Sequence, residues 1–251
     1  MRVTGIQHDI VWEDGPATCA QLAPAVAEAA EGGADLVVLT EMFATGFSMD
    51  PGRIAEDPGG PVEQFLCEQA EANRVAVAGS IAQWGPDGRA QNVLVLADPS
   101  GVRARYAKIH PFSYGGEDRH YAPGEEVVTV EIGGARVTPF VCYDLRFATE
   151  FWDAAEQTDC YLVVANWPRE RTAHWSALLA ARAIENQAYV VGVNRVGTGG
   201  GLDYAGGSEI LDPWGVTLDH LADRPGVVSA TVDPAEVSRI RSRYPFLQDR
   251  R

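Results

Sequence analysis

Short apolar runs alternate with longer amphipathic stretches along most of the chain. Val3 to Val11 predicts a strand. Pro16 to Glu31 is Ala-rich and closes on Gly32-Gly33, which predicts a helix with a C-terminal glycine. Asp35 to Thr40 is a short apolar run of the kind that forms a buried strand. Pro61 to Asn73 predicts a helix with proline in its first turn. Val75 to Ala82 and Asn92 to Ala97 predict strands across the turn Gly85-Pro86-Asp87-Gly88, and Val102 to Ile109 predicts another. His110 to Gly124 has no periodicity and predicts a long loop, the kind of segment that carries function. Val127 to Ile132 and Ala135 to Val141 flank Gly133-Gly134 as a hairpin.

Phe147 to Gln157 predicts a helix, Cys160 to Ala165 a strand, Thr172 to Asn186 a helix and Tyr189 to Asn194 a strand. Gly197 to Gly201 predicts a loop. Ser208 to Leu211, Trp214 to Leu218 and Val227 to Thr231 predict a β-rich end, and Asp233-Pro234 caps and opens a final helix. No linker, repeat or low-complexity tract interrupts this order, so one domain over residues 1–251 is expected. The class is α/β with mixed sheets. About a dozen strands is many for one open sheet, so two packed sheets with helices outside are expected.

Composition narrows the function. The net charge of −15 opposes a nucleic-acid partner, because phosphate binding needs a basic surface. No basic-then-apolar leader and no membrane-length apolar run is present, so a cytoplasmic protein is expected. The four cysteines form no C-x-x-C, and the five histidines form no H-x-H or H-E-x-x-H. Reduced thiols and no metal site are therefore expected.

Candidate chemistry lies where apolar runs meet polar residues. Val137 to Val141 stops at Cys142, ahead of the polar stretch Tyr143-Asp144-Leu145-Arg146. A thiol between a strand and a helix can be presented as a nucleophile, with the positive helix end favouring its thiolate. Leu36 to Leu39 leads to Glu41, where desolvation would raise a carboxylate toward a useful base. Lys108, after another strand, and the N–H of Tyr143 are candidate oxyanion donors. Each residue alone also has an ordinary reading: a buried small hydrophobe, a solvated carboxylate, a surface lysine.

Together their surroundings resemble the nitrilase, or carbon–nitrogen hydrolase, superfamily over essentially the whole chain. Thr40-Glu41-Met42-Phe43-Ala44-Thr45-Gly46-Phe47 resembles its glutamate motif, and Tyr106-Ala107-Lys108-Ile109-His110-Pro111-Phe112 its lysine motif. Val141-Cys142-Tyr143-Asp144-Leu145-Arg146-Phe147 resembles its cysteine motif, and Ala181 to Gln187 the helix that follows the active site. Glu41 and Lys108 are 67 residues apart, and Cys142 follows 34 later. The resemblance implies a four-layer α-β-β-α sandwich that forms a homodimer and uses no cofactor. It implies Glu41 as general base, Lys108 as oxyanion stabiliser, Cys142 as nucleophile and Glu117 as a second glutamate, with Asp118 its neighbouring alternative. Asp144 and Arg146 are expected to brace the elbow as a buried pair. Ala148-Thr149-Glu150 departs from the family's usual Pro-Glu.

Asn166-Trp167-Pro168, Ala173-His174-Trp175 and Asp212-Pro213-Trp214-Gly215 resemble the ω-amidase branch, as does the closing Arg243-Tyr244-Pro245-Phe246-Leu247. That branch hydrolyses the terminal amide of short 2-oxo-dicarboxylic acid monoamides. Such a small-molecule substrate needs a group for its distal carboxylate. The candidates are Arg169, Arg119 and Tyr114, with Trp167 as a wall, and Asn166 is also expected to bind substrate. The rivals are an amidase of the same superfamily acting on carbamoyl amines or deaminated glutathione, and a non-catalytic scaffold. A nitrilase is disfavoured because that branch carries Trp-Glu after its cysteine, where this chain has Tyr143-Asp144.

Overall fold

Two six-stranded sheets form the centre of the computed structural model, which describes residues 1–250. Strands are numbered in chain order. The first sheet runs β14 (Gly226–Thr231), β1 (Arg2–Gln7), β2 (Leu36–Val38), β3 (Ala76–Trp84), β4 (Ala90–Asp98), β5 (Gly101–Ala107). Its β1, β2 and β3 are parallel and the other pairings antiparallel. The second runs β13 (Thr217–Leu221), β12 (Ser208–Leu211), β9 (Tyr189–Asn194), β8 (Cys160–Ala165), β7 (Ala135–Val141), β6 (Val130–Ile132). There β7, β8 and β9 are parallel. A small hairpin, β10 (Val196–Gly199) with β11 (Leu202–Ala205), stands apart.

Alternation along the strands decides the layers. Leu36, Val38, Ala78, Leu94 and Leu96 of the first sheet share one cluster with Val137, Leu162 and Val164 of the second. Their neighbours Val37, Val77, Val93 and Val95 face the other way, against Leu22 and Val26 of α1 (Gly15–Glu31) and Phe65 and Leu66 of α3 (Pro61–Asn73). The second sheet's outer face carries Phe151 of α5 (Ala148–Ala154) and Trp175, Leu179 and Ala183 of α6 (Thr172–Asn186). The result is the α-β-β-α sandwich. Two glycines permit its spacing. A Cβ on Gly5 would stand 2.6 Å from Val193 of the facing sheet, and one on Gly192 would stand 2.4 Å from Leu179 of α6.

Several expectations shift. The first strand ends at Gln7 instead of Val11. The segment from His110 to Gly124 is not wholly a loop: it holds a 3₁₀ turn, Ser113–Gly115, and a short helix, α4 (Glu117–His120). A single turn carries too little periodicity to register in a sequence. The expected loop Gly197 to Gly201 is the tip of the β10–β11 hairpin. The strand placed at Trp214 begins at Thr217, because Asp212 accepts from the N–H groups of Trp214 and Val216 and closes a turn there. The helix expected from Phe147 to Gln157 is α5 followed by a 3₁₀ turn. Remaining helices are α2 (Pro51–Ile54) and α7 (Pro234–Arg243), the latter capped by Asp233. Among the described residues no helix is long and apolar enough to cross a membrane.

Candidate active site

The C-terminal ends of β2, β5, β7 and β8 converge on one side of the two sheets, where α/β folds place ligands. Glu41 follows β2 and Lys108 follows β5. Cys142 follows β7 and Asn166 follows β8. All four were expected site residues, Asn166 as a substrate contact; the sheets bring them to one place.

Lys108 Nζ donates to Glu41 Oε1 at 3.0 Å and to Glu117 Oε2 at 2.7 Å. All three side chains are essentially closed to bulk water, at 1%, 0% and 0% exposure. Asn92 Nδ2, on β4, donates to Glu41 Oε1 at 2.8 Å and to Glu117 Oε1 at 3.2 Å, tying the carboxylates together. Its own Oδ1 accepts from Ser80 Oγ at 2.8 Å. Glu41 Oε2 accepts from the N–H of Asn166 at 2.8 Å, and Asn166 Nδ2 donates to the Glu41 carbonyl at 2.6 Å. That second bond orients the Asn166 amide, and its Oδ1 is left buried without a partner. Glu117, and not the exposed Asp118, reaches the cluster, held also by the N–H of Phe112 at 2.5 Å.

Charge in this cluster is set by burial. Desolvation draws the Lys108 ammonium down, but Glu117 and Glu41 outweigh it and hold its pKa above the usual lysine value. Burial raises the carboxyl of Glu117, against the pull of Lys108. Two of the three Lys108 protons are engaged by carboxylates, which leaves one for a further acceptor.

Cys142 has φ of +47°, a left-handed conformation uncommon outside glycine. It opens a 3₁₀ turn, Cys142–Arg146, and not an α-helix. The first N–H groups of that turn, including that of Tyr143, have no carbonyl to reach within it. Burial pushes the thiol well above its ordinary value; Glu41, within hydrogen-bonding reach, pushes the same way, and Lys108 opposes. The surroundings do not favour the expected thiolate at a helix end: one short turn supplies little dipole, and burial and the neighbouring carboxylate both raise the thiol.

Asp144 braces this elbow, but not through Arg146. Its carboxylate accepts from Tyr106 Oη at 2.8 Å, from the N–H of Val141 at 3.0 Å and from the N–H of His110 at 2.8 Å. Arg146 turns away, 4.8 Å from the Trp167 ring centre, with its Nη2 3.2 Å from His174 Nδ1. The departure at Ala148-Thr149-Glu150 leaves Glu150 bonded to His110 Nε2 at 2.8 Å, while the His110 ring stacks on Phe147.

A pocket of about 40 Å³ opens above the sulfur, room for about three waters. It is lined by Phe47, Phe112, Tyr143, Arg146, Asn166 and Trp167, and by Pro168, Arg171, Leu202 and Tyr204. Asn166 and Trp167 thus line this pocket. Tyr114, Arg119 and Arg169 do not. Tyr114 is 89% exposed on its 3₁₀ turn, and Arg119 lies exposed on α4. Arg169 is spent on an exposed ion pair with Asp223, 2.6 Å away. The cations that do line the pocket are Arg146 and Arg171, which sequence reasoning missed. Arg171 is two residues past Arg169, and only the 3₁₀ turn Arg169–Arg171 decides which of them faces inward. Asn92 was missed too, since nothing in its own strand marks it apart from an interrupted apolar run.

A thiol, two carboxylates and an ammonium at the mouth of an α-β-β-α sandwich define a class of cysteine-dependent hydrolases of carbon–nitrogen bonds. The carbon–nitrogen hydrolase family model matches residues 2–242, and the chain belongs to that family, within the nitrilase superfamily. The omega-amidase YafV of Escherichia coli (strain K12) is 39% identical over 99% of this chain and 96% of its own length. The 2-oxoglutaramate amidase of Bacillus subtilis (strain 168) is 32% identical over 86% of this chain and 85% of its own. A solved superfamily member from Xanthomonas campestris, with an arsenic adduct in its active site, superposes with a TM-score of 0.94. It is 36% identical, and the match covers 100% of this chain and 97% of that one. The protein is an amidase of this superfamily and groups with its omega-amidase branch.

Proposed function

We propose that the chain hydrolyses the terminal amide of a short 2-oxo-dicarboxylic acid monoamide, of the 2-oxoglutaramate or 2-oxosuccinamate type, through a thioester on Cys142. One observation carries the reading. The pocket over the sulfur is lined by two guanidiniums, Arg146 and Arg171, and by no carboxylate. A carboxylate at the far end of the substrate finds a charge-assisted partner there. The α-ammonium of glutamine or asparagine would instead face two cations and no carboxylate. The small volume favours a short acyl chain, and the names of the relatives point to the same substrates.

In the mechanism, Glu41 takes the proton of Cys142 as the sulfur attacks the amide carbon. The remaining Lys108 proton and the Tyr143 N–H hold the oxyanion that forms. The unpartnered Oδ1 of Asn166 accepts from the amide N–H and orients the leaving nitrogen. Glu41 returns its proton to that nitrogen, the C–N bond breaks and ammonia leaves the thioester. A water then enters, Glu41 takes its proton, and the oxygen displaces the sulfur, which recovers the proton. Glu117 keeps Lys108 charged and aimed throughout. A homodimer is part of the same reading. Ile184, Trp214, Val216 and Phe246 are exposed in a patch continuous through Tyr244, and light scattering would measure the mass.

The test is an ammonia-release panel with 2-oxoglutaramate, 2-oxosuccinamate, glutamine, asparagine, a carbamoyl amine and deaminated glutathione. The 2-oxo acid monoamides should lead by at least about tenfold in kcat/KM, which corresponds to about 1.4 kcal/mol. Cys142→Ala should abolish release with an unchanged circular dichroism spectrum. A preference for glutamine or a carbamoyl amine, or substantial turnover by Cys142→Ala, would overturn the proposal.

A further inference from the structure

Tyr204 is a polar side chain with no use in the mechanism above. It sits on β11, just past the expected loop Gly197 to Gly201, and lines the pocket with Leu202. Only 2% of the residue is exposed, yet its hydroxyl bonds to no group among the described residues, whereas the buried hydroxyls of Tyr106, Tyr121 and Tyr161 are all satisfied. A buried phenol left this way is unusual, because the hydroxyl normally finds a partner.

The ring is held rigidly. Arg195, wholly buried, places its guanidinium 4.6 Å from the Tyr204 ring centre. The same guanidinium is bound to Asp9 Oδ1 at 2.8 Å and to the carbonyl of Thr198 at 3.0 Å. Strand β10 and the segment after β1 are thereby tied together beside the ring. Desolvation raises the hydroxyl to about 12, so it stays a neutral donor over the range in which enzymes work. Arg195 and Arg171 oppose that rise, and Glu41 and Cys142 add to it.

We infer that Tyr204 is a specificity-determining residue whose hydroxyl donates to the 2-oxo oxygen of the substrate, an inference that rests on the function proposed above. Tyr204 lines the same pocket as Cys142, whose sulfur receives the amide carbon, and as Arg146 and Arg171, which receive the distal carboxylate in the function proposed above. In a 2-oxo-dicarboxylic acid monoamide the group between those two ends that can accept a hydrogen bond is the 2-oxo oxygen. A site built to bond such an oxygen discriminates against the analogue lacking it, because its own donor is then left unpaired.

The experiment compares 2-oxoglutaramate with glutaramate, the same chain without the oxo group, on the wild-type protein and on Tyr204→Phe. The wild type should favour 2-oxoglutaramate by about ten- to a hundredfold in kcat/KM, and Tyr204→Phe should lose most of that ratio. Circular dichroism and the thermal midpoint confirm that the near-isosteric variant is folded. A Tyr204→Phe protein that keeps the wild-type ratio, or that loses activity equally on both amides, overturns the role of Tyr204 alone. A wild-type protein with no preference for the oxo amide overturns the substrate reading, and this inference with it.

Discussion

Replacing Glu41 with Gln should stop turnover while making Cys142 easier to ionise, an opposition that separates a proton-transfer role from a charge-stabilising one. The carboxylate and the thiol are within hydrogen-bonding reach, and the carboxylate raises the thiol. Removing that charge takes a like-charged neighbour away from the thiolate and should lower the thiol. Lys108 remains beside the sulfur and favours its anion. The amide has a structural cost: Glu41 accepts at both oxygens, from Lys108, Asn92 and the Asn166 N–H, and Gln can accept at only one. One buried donor is orphaned, at about 1–3 kcal/mol of stability. The assay is the pH–rate profile of iodoacetamide alkylation at Cys142, read by mass spectrometry, beside ammonia release. Turnover should fall by about 10²–10⁴. An alkylation profile that stays in place or moves to higher pH, or turnover within tenfold of wild type, would refute the reasoning.

Lys108→Met leaves Glu41 and Glu117 facing each other without their cation. It should cost about 3–5 kcal/mol in urea unfolding and at least about 10² in kcat. Arg146→Leu and Arg171→Leu should each lower kcat/KM for 2-oxoglutaramate by about ten- to a hundredfold, mainly through KM, and much less for butanamide; equal losses on both would refute a carboxylate role. Asp144 gives a pH prediction. Burial raises its carboxyl from an ordinary 3.8 to about 6. The folded state therefore holds this proton more tightly than the unfolded chain. The group's contribution to stability is greatest below about pH 4, falls by about 3 kcal/mol as pH rises to about 6, and is flat above. Urea titrations across that window should show the slope, and Asp144→Asn should remove it.

Much of the fold was legible. Strand and helix periods placed nearly every long element, because each buries one face or both against a layer and must repeat at 2 or 3.6 residues. Pro61, Asp233 and the Gly133-Gly134 pair marked ends correctly, since their backbone chemistry acts locally. What escaped was short. Neither α4 nor the tip of β10–β11 is long enough to show a period, and the turn at Asp212 is made by one side chain.

The chain's own residues determined the sandwich, the carboxylate, the ammonium and the thiol, because strand ends rich in apolar residues leave few polar groups at their exits and each stands out. Only the tertiary structure decided what surrounds them. Asn92 joins Glu41 to Glu117 because β4 runs antiparallel to β3 and brings it level with the end of β2. The Cys142 thiol is raised by its burial, and Glu41, from the other sheet, pushes it the same way. Arg171 faces the pocket and Arg169 faces Asp223 because of the rotation of a single 3₁₀ turn. Charge, burial and direction are properties of neighbours, and neighbours distant in sequence are chosen by how the sheets pack.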